Sequence, residues 1–167
     1  MTNFKRTILS YIFITSLGVL LHFTYEWSGD NFIVGLFSAT NESTWEHLKL
    51  VFFPMFILTI WDIFTNYKND DFFLPARTIA ILSTMVFIIV TYYTFLGVVG
   101  KNIDFVNILI YFLGIAFGFL IEKQIYGKTK LLNNTSSIII LFIIALLFIL
   151  LTYSAPDIGI SKEPTAP

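Results

Sequence analysis

The sequence predicts an all-α integral membrane protein, a bundle of about five transmembrane helices with its N-terminus inside. Three observations carry that expectation. Hydrophobic residues make up 56% of the chain and charged residues 13%, against about 25% charged in soluble domains. The apolar residues fall into runs of the length that crosses a bilayer, roughly 20 residues per helix. Short polar stretches rich in Gly, Asn and Asp separate those runs. The 167 residues leave room for a single domain, placed at 1–153. Cysteine is absent, which removes disulfides, thiolate metal sites and cysteine nucleophiles. A net charge of −1 gives no general attraction to nucleic acid, so the lipid bilayer is the expected surrounding.

The first span is placed at 7–25, behind a short head holding Lys5 and Arg6. A basic head and an apolar run also describe a signal peptide, but no clean small-x-small cleavage site follows. Tyr11, Thr15, Gly18, His22 and Glu26 recur at the 4-3-4-4 spacing of one helix face. Lipid cannot satisfy that stripe, so it should face other helices. A connector follows, with Ser28-Gly29-Asp30-Asn31 as a turn and Phe32–Phe37 too short to cross. The second span runs 43–65, with Pro54 expected to kink it. The third is placed at 76–96 and the fourth at 105–121. The fourth carries Gly114-x-x-x-Gly118, a spacing that suits close helix approach and offers a face for a homo-oligomer. The fifth runs 137–153, and the proline-bearing tail 154–167 reads as a disordered end.

Basic residues set the expected orientation. With the N-terminus inside, the inner side holds Lys5, Arg6, Lys68, Arg77, Lys123, Lys128 and Lys130. The outer side holds Lys49, Lys101 and Lys162, so the asymmetry of seven to three favours N-inside in the cell membrane.

One stretch departs from this apolar background: Glu42-Ser43-Thr44-Trp45-Glu46-His47-Leu48-Lys49. His22 lies five residues before Trp27, and His47 two after Trp45. With tryptophans as interface markers, both histidines should sit about one turn below the outer surface. Antiparallel neighbours then bring His22, Glu26, Glu42, Glu46 and His47 to one level. Thr91–Thr94, including Tyr92, and Asn107 reach it from the third and fourth spans. The inner half holds little beyond Asp62. Ionisable groups inside spans are costly and point to function.

Structural roles account for part of the cluster. Ser43-x-x-Glu46 fits a capping box, Glu46 and Lys49 can pair at i,i+3, and His22 and Glu26 can pair at i,i+4. Neither a cap nor the helix dipole calls for an imidazole four residues into a helix. Two imidazoles and a carboxylate make the open zinc site, and carboxylate-rich sites also accept manganese or iron. The expected ligands are His22, His47 and one of Glu26 or Glu46. The other of Glu26 and Glu46, or Glu42, is the expected base, and Tyr92 or Lys49 the oxyanion partner. Glu46 and His47 are adjacent, however, and so point about 100° apart on a helix.

The run Asn41–Leu50 with Phe52-Phe53-Pro54, and the earlier His22-Phe23-x-Tyr25-Glu26-Trp27-Ser28-Gly29, resemble a family of small bacterial multi-spanning membrane proteins without assigned function. The resemblance covers residues 22 to 54 and implies a polytopic protein centred on this cluster. It carries no activity, substrate or cofactor with it. Three functions follow from the residues. The first is a metal-dependent membrane hydrolase or transferase acting on a lipid or lipid-linked substrate. The second is a cation- or proton-coupled carrier using the same groups. The third is a structural accessory subunit.

Overall fold

The computed structural model of the chain describes residues 4–128 and 131–163. Lys130, Pro164 and Pro167, used above in the charge count and the tail, lie outside them. Among the described residues there are six α-helices and no strand. They are α1 (Phe4–Trp27), α2 (Phe32–Gly35), α3 (Thr44–Thr65), α4 (Phe73–Val99), α5 (Asp104–Ile125) and α6 (Asn134–Leu151). All but α2 are long and apolar enough to cross a membrane. Four of them are longer at one or both ends than the apolar run suggests, because capping and loop hydrogen bonds continue the helix past it, while α3 begins one residue later than expected, with Ser43 as its cap.

Helix α3 is the axis of the bundle. Over its most apolar stretch 56% of residues are buried, against 22% in each of the other four long helices. It packs against α1, α4 and α6, while α4 makes its most extensive contact with α5. Phe52, Phe53 and Trp45 of α3 meet Phe148 of α6, with ring centroids between 4.7 and 6.1 Å apart. The outer surface is lined with Leu9, Ile12, Phe13, Phe142 and Leu150, all exposed, as a lipid-facing surface requires.

The polar stripe of α1 faces inward at Thr15 and Gly18, both buried. Gly18 lets α1 close on its neighbours: a Cβ there would overlap the Tyr111 hydroxyl and the Leu50 carbonyl. That carbonyl has lost its usual helical donor, because Pro54 four residues on has no N–H. The Tyr111 hydroxyl lies 3.4 Å from it, and also 3.3 and 3.5 Å from the Ile14 and Thr15 carbonyls, so its one proton is shared among the three. The Gly114-x-x-x-Gly118 face, offered above to a second copy, is taken up inside the chain by α4. A Cβ at Gly118 would strike Thr84, and one at Gly114 would strike Ile88.

The tail differs from a disordered end in its described part. Gly159–Ser161 form a 3-10 turn, Ile160 packs on the core, and the Gly159 carbonyl accepts from the Tyr93 hydroxyl at 3.1 Å.

Candidate functional site

The antiparallel order of the long helices places the C-terminal ends of α1, α4 and α6 beside the N-terminal ends of α3 and α5. The connector between α1 and α3 closes this end of the bundle. Gly29 takes a left-handed φ of 67°, reversing the chain after α1. Asn31 then caps the single turn of α2 through Ile33 N at 2.9 Å. Ser38 ties the returning chain to α1, bonding Thr24 at 3.0 Å and the Tyr25 amide at 3.1 Å.

The last anchor of the connector comes from Glu46 and Lys49, both buried. They pair at 2.5 Å. Glu46 Oε2 also accepts from the Thr40 amide at 2.9 Å and the Thr40 hydroxyl at 2.8 Å. Lys49 donates to the Gly35 carbonyl at 2.8 Å and to Thr152 at 3.1 Å. Glu46, expected among the ligands, is therefore turned away from His47 into the connector, as adjacent positions on a helix dictate. Lys49, expected beside an oxyanion, is committed to the same buried pair. The capping box is half formed. Ser43 accepts from Glu46 N at 3.3 Å, but the Ser43 amide goes to Asn41 at 3.0 Å rather than back to Glu46.

With the connector so held, Glu42 arrives at the two histidines. Ligand-type atoms of His22, Glu42 and His47 all lie within 4.8 Å of one another. His47 Nε2 is 3.4 Å from Glu42 Oε2, and the two imidazole centroids are 5.1 Å apart. Two ligands about 2.1 Å from one tetrahedral ion stand about 3.4 Å apart, so His47 and Glu42 already have ligand spacing. His47 Nδ1 is 3.0 Å from the Ser43 carbonyl. A carbonyl accepts, so Nδ1 carries the proton and Nε2 offers its lone pair, which is how histidine ligands are usually oriented. His22 Nδ1 is buried with no hydrogen-bond partner. An unpartnered ring nitrogen beside a second imidazole and a carboxylate suits a soft-to-borderline divalent ion, and the donor set fits zinc. Glu26, the other expected ligand, is exposed at the C-terminal end of the α1 stripe and is not among these three.

A cavity of about 100 Å³ opens beside Glu42 and His47. Tyr92, Asp104, Asn107 and Tyr111 line it, and no Lys or Arg does. The Asn107 amide donates to Asn102 at 2.7 Å while its Oδ1 is buried without a partner. The Glu42 side chain is 66% exposed, so the cavity meets water on this side. Asp104 and Tyr111 were not singled out from sequence. The signal was present: Asp104, Asn107 and Tyr111 recur at three and four residues, one face of the start of α5.

The opposite end is more polar than Asp62 alone suggested. Arg77, counted above among the inner-side basic residues, is 2% exposed and donates to Glu122 through Nε at 2.7 Å and Nη2 at 3.1 Å. Asp62 pairs with Arg6 at 2.5 Å and with Arg77 at 3.4 Å. Nearby, the Tyr126 hydroxyl bonds Asp70, and burial together with that carboxylate pushes the phenol above its ordinary pKa.

The family model of DUF6512, a family of unknown function, matches residues 1–166. No curated protein and no solved structure matches the chain.

Proposed function

The chain belongs to DUF6512, and we propose that it is a membrane-embedded, metal-dependent hydrolase or transferase. Its site opens at the outer face of the cell membrane onto a lipid or lipid-linked substrate. One observation carries the reading: His22, Glu42 and His47, from α1, the connector and α3, converge within 4.8 Å beside a polar cavity. These three residues would hold the ion. When bound, such an ion polarises a substrate oxygen and lowers the pKa of a water toward neutrality. Asp104 lies on the cavity wall and is the carboxylate placed to take a proton. Tyr92 and Asn107 line the same wall and orient the polar part of a substrate. The acyl part stays in the bilayer that surrounds the helices. Glu46 and Lys49 act as positioning residues, since they hold Thr40 and Gly35 and through them the path of the chain to Glu42. Orientation rests on the basic residues: most of those outside buried pairs lie on the Lys68 and Lys128 side.

A carrier for a cation or proton is a second reading, favoured by the cluster of Arg6, Asp62, Arg77 and Glu122 at the other end. Two arginines there oppose a cation electrostatically, which places this reading behind the first.

Elemental analysis of protein purified without chelators tests the proposal. About one zinc per chain is expected, lost in both His22→Ala and His47→Ala. Glu26→Gln should retain it. Protein that carries no metal, or a Glu26→Gln variant that loses it alongside the histidine variants, would sink this ligand set.

A further inference from the structure

A cavity of about 760 Å³ lies at the end opposite the histidines, between the first half of α1 and the last half of α5. Its floor is ionic: Arg6, Arg77, Glu122 and Lys123. Its rim is apolar. Phe4, Ile8 and Leu120 line it and are 78%, 42% and 63% exposed. Such residues on the side of a membrane-crossing bundle face hydrocarbon, so the cavity opens sideways into the bilayer rather than toward water.

The charge on the floor is unbalanced. Asp62 and Glu122 are both engaged by Arg77, and Asp62 also by Arg6. Three cations, Arg6, Arg77 and Lys123, line the cavity against one carboxylate, Glu122, while Asp62 and Asp70 lie behind its wall on the arginines and on the Tyr126 hydroxyl. Arg77 Nη1 is buried and has no hydrogen-bond partner, and the guanidinium carbon lies 5.0 and 5.7 Å from the Phe73 and Phe119 rings. Lys123 is exposed and Arg6 half-buried, so both ammonium and guanidinium groups are reachable from the cavity.

An occupant must therefore carry negative charge at its inner end and an apolar chain at the mouth. We infer that this cavity is a binding site for one anionic phospholipid, its phosphate between Arg6 and Lys123 and its acyl chain along Ile8 and Leu120. Basic pockets between helices at this depth are the usual seats of anionic headgroups, and the volume falls within the ordinary range of ligand sites. The inference is independent of the metal centre, which lies at the other end.

The test is titration of delipidated protein in neutral detergent with dioleoyl phosphatidylglycerol, dioleoyl phosphatidylcholine or inorganic phosphate, read by native mass spectrometry and thermal unfolding. Phosphatidylglycerol should bind saturably at one per chain and raise the unfolding temperature; the other two should do neither. Lys123→Gln, at an exposed position, should weaken binding roughly fivefold. Ala116→Phe fills the cavity without changing charge and should abolish it, while zinc content stays as in the parent. Equal binding of phosphatidylcholine, equal binding of phosphate alone, or undiminished binding in Ala116→Phe would each overturn the assignment.

Discussion

Glu46 and Lys49 show how much a residue's chemistry depends on which way one helix turn points it. Both are ionisable, both sit within three residues of His47, and neither reaches the metal-type cluster. Their charges are withdrawn from water and compensated by each other, by Thr40, Gly35 and Thr152. Removing one partner leaves the other buried and unpaired, at a cost of about 3–5 kcal/mol. Glu46→Ala should therefore lower unfolding stability by about that much, and Glu46→Leu combined with Lys49→Met should recover a large part of it. Glu46→Gln still offers Thr40 an acceptor, so it should fold. Its looser hold on the connector should weaken zinc binding about tenfold, as changes behind a ligand commonly do. Unfolding in mixed micelles and zinc titration measure the two effects. A Glu46→Ala variant as stable as the parent would show that the pair is not what holds the connector.

At the scale of the element, helices in a bilayer gain little from burying apolar surface, because lipid is as apolar as a side chain. Close approach and backbone satisfaction matter more. Gly18 sits where a Cβ would meet both the Tyr111 hydroxyl and the Leu50 carbonyl, and Gly118 where one would meet Thr84 and stand 3.1 Å from the Ala80 carbonyl. Gly114 meets the side chain of Ile88, which can rotate away. Overpacking costs about 1–3 kcal/mol. Gly18→Ala should fall at the upper end, Gly118→Ala close behind, and Gly114→Ala at the lower end. Backbone oxygens cannot yield in the first two. Comparing the three in one unfolding assay decides the matter; an inverted order would mean that the glycines are not the contacts that set helix spacing.

For the whole molecule, the bundle separates two polar ends of unlike character. One end has two imidazoles, the carboxylates of Glu42 and Asp104, and an orphan amide oxygen, an array that attracts a cation. The other has an excess of positive charge and attracts an anion. An apolar band through Phe52, Phe53 and Met55 of α3 lies between them, buried throughout. Which end faces outward is decided by the loops, and native cysteine is absent, so single cysteines report it cleanly. Lys101→Cys should react with a membrane-impermeant maleimide on intact cells, and Lys68→Cys only after permeabilisation. Both side chains are exposed. The reverse pattern would place the histidine end inside and remove the outer-face substrate from the proposal.

The five crossing segments follow from the sequence because they depend on local composition alone: an apolar run of sufficient length has no alternative that satisfies its backbone in lipid. That His22 and His47 come to one level follows as well, from rise per residue and the antiparallel order of α1 and α3. Which carboxylate joins them does not. Glu26, Glu42 and Glu46 all lie within five residues of a histidine, and the choice rests on hydrogen bonds from Ser38, Thr40 and Lys49 that steer the connector. The Arg77–Glu122 pair joins residues 45 apart and was equally hidden. Helix length is settled by short-range chemistry, whereas the meeting of charged side chains is settled by how finished helices pack, and only the tertiary structure holds that information.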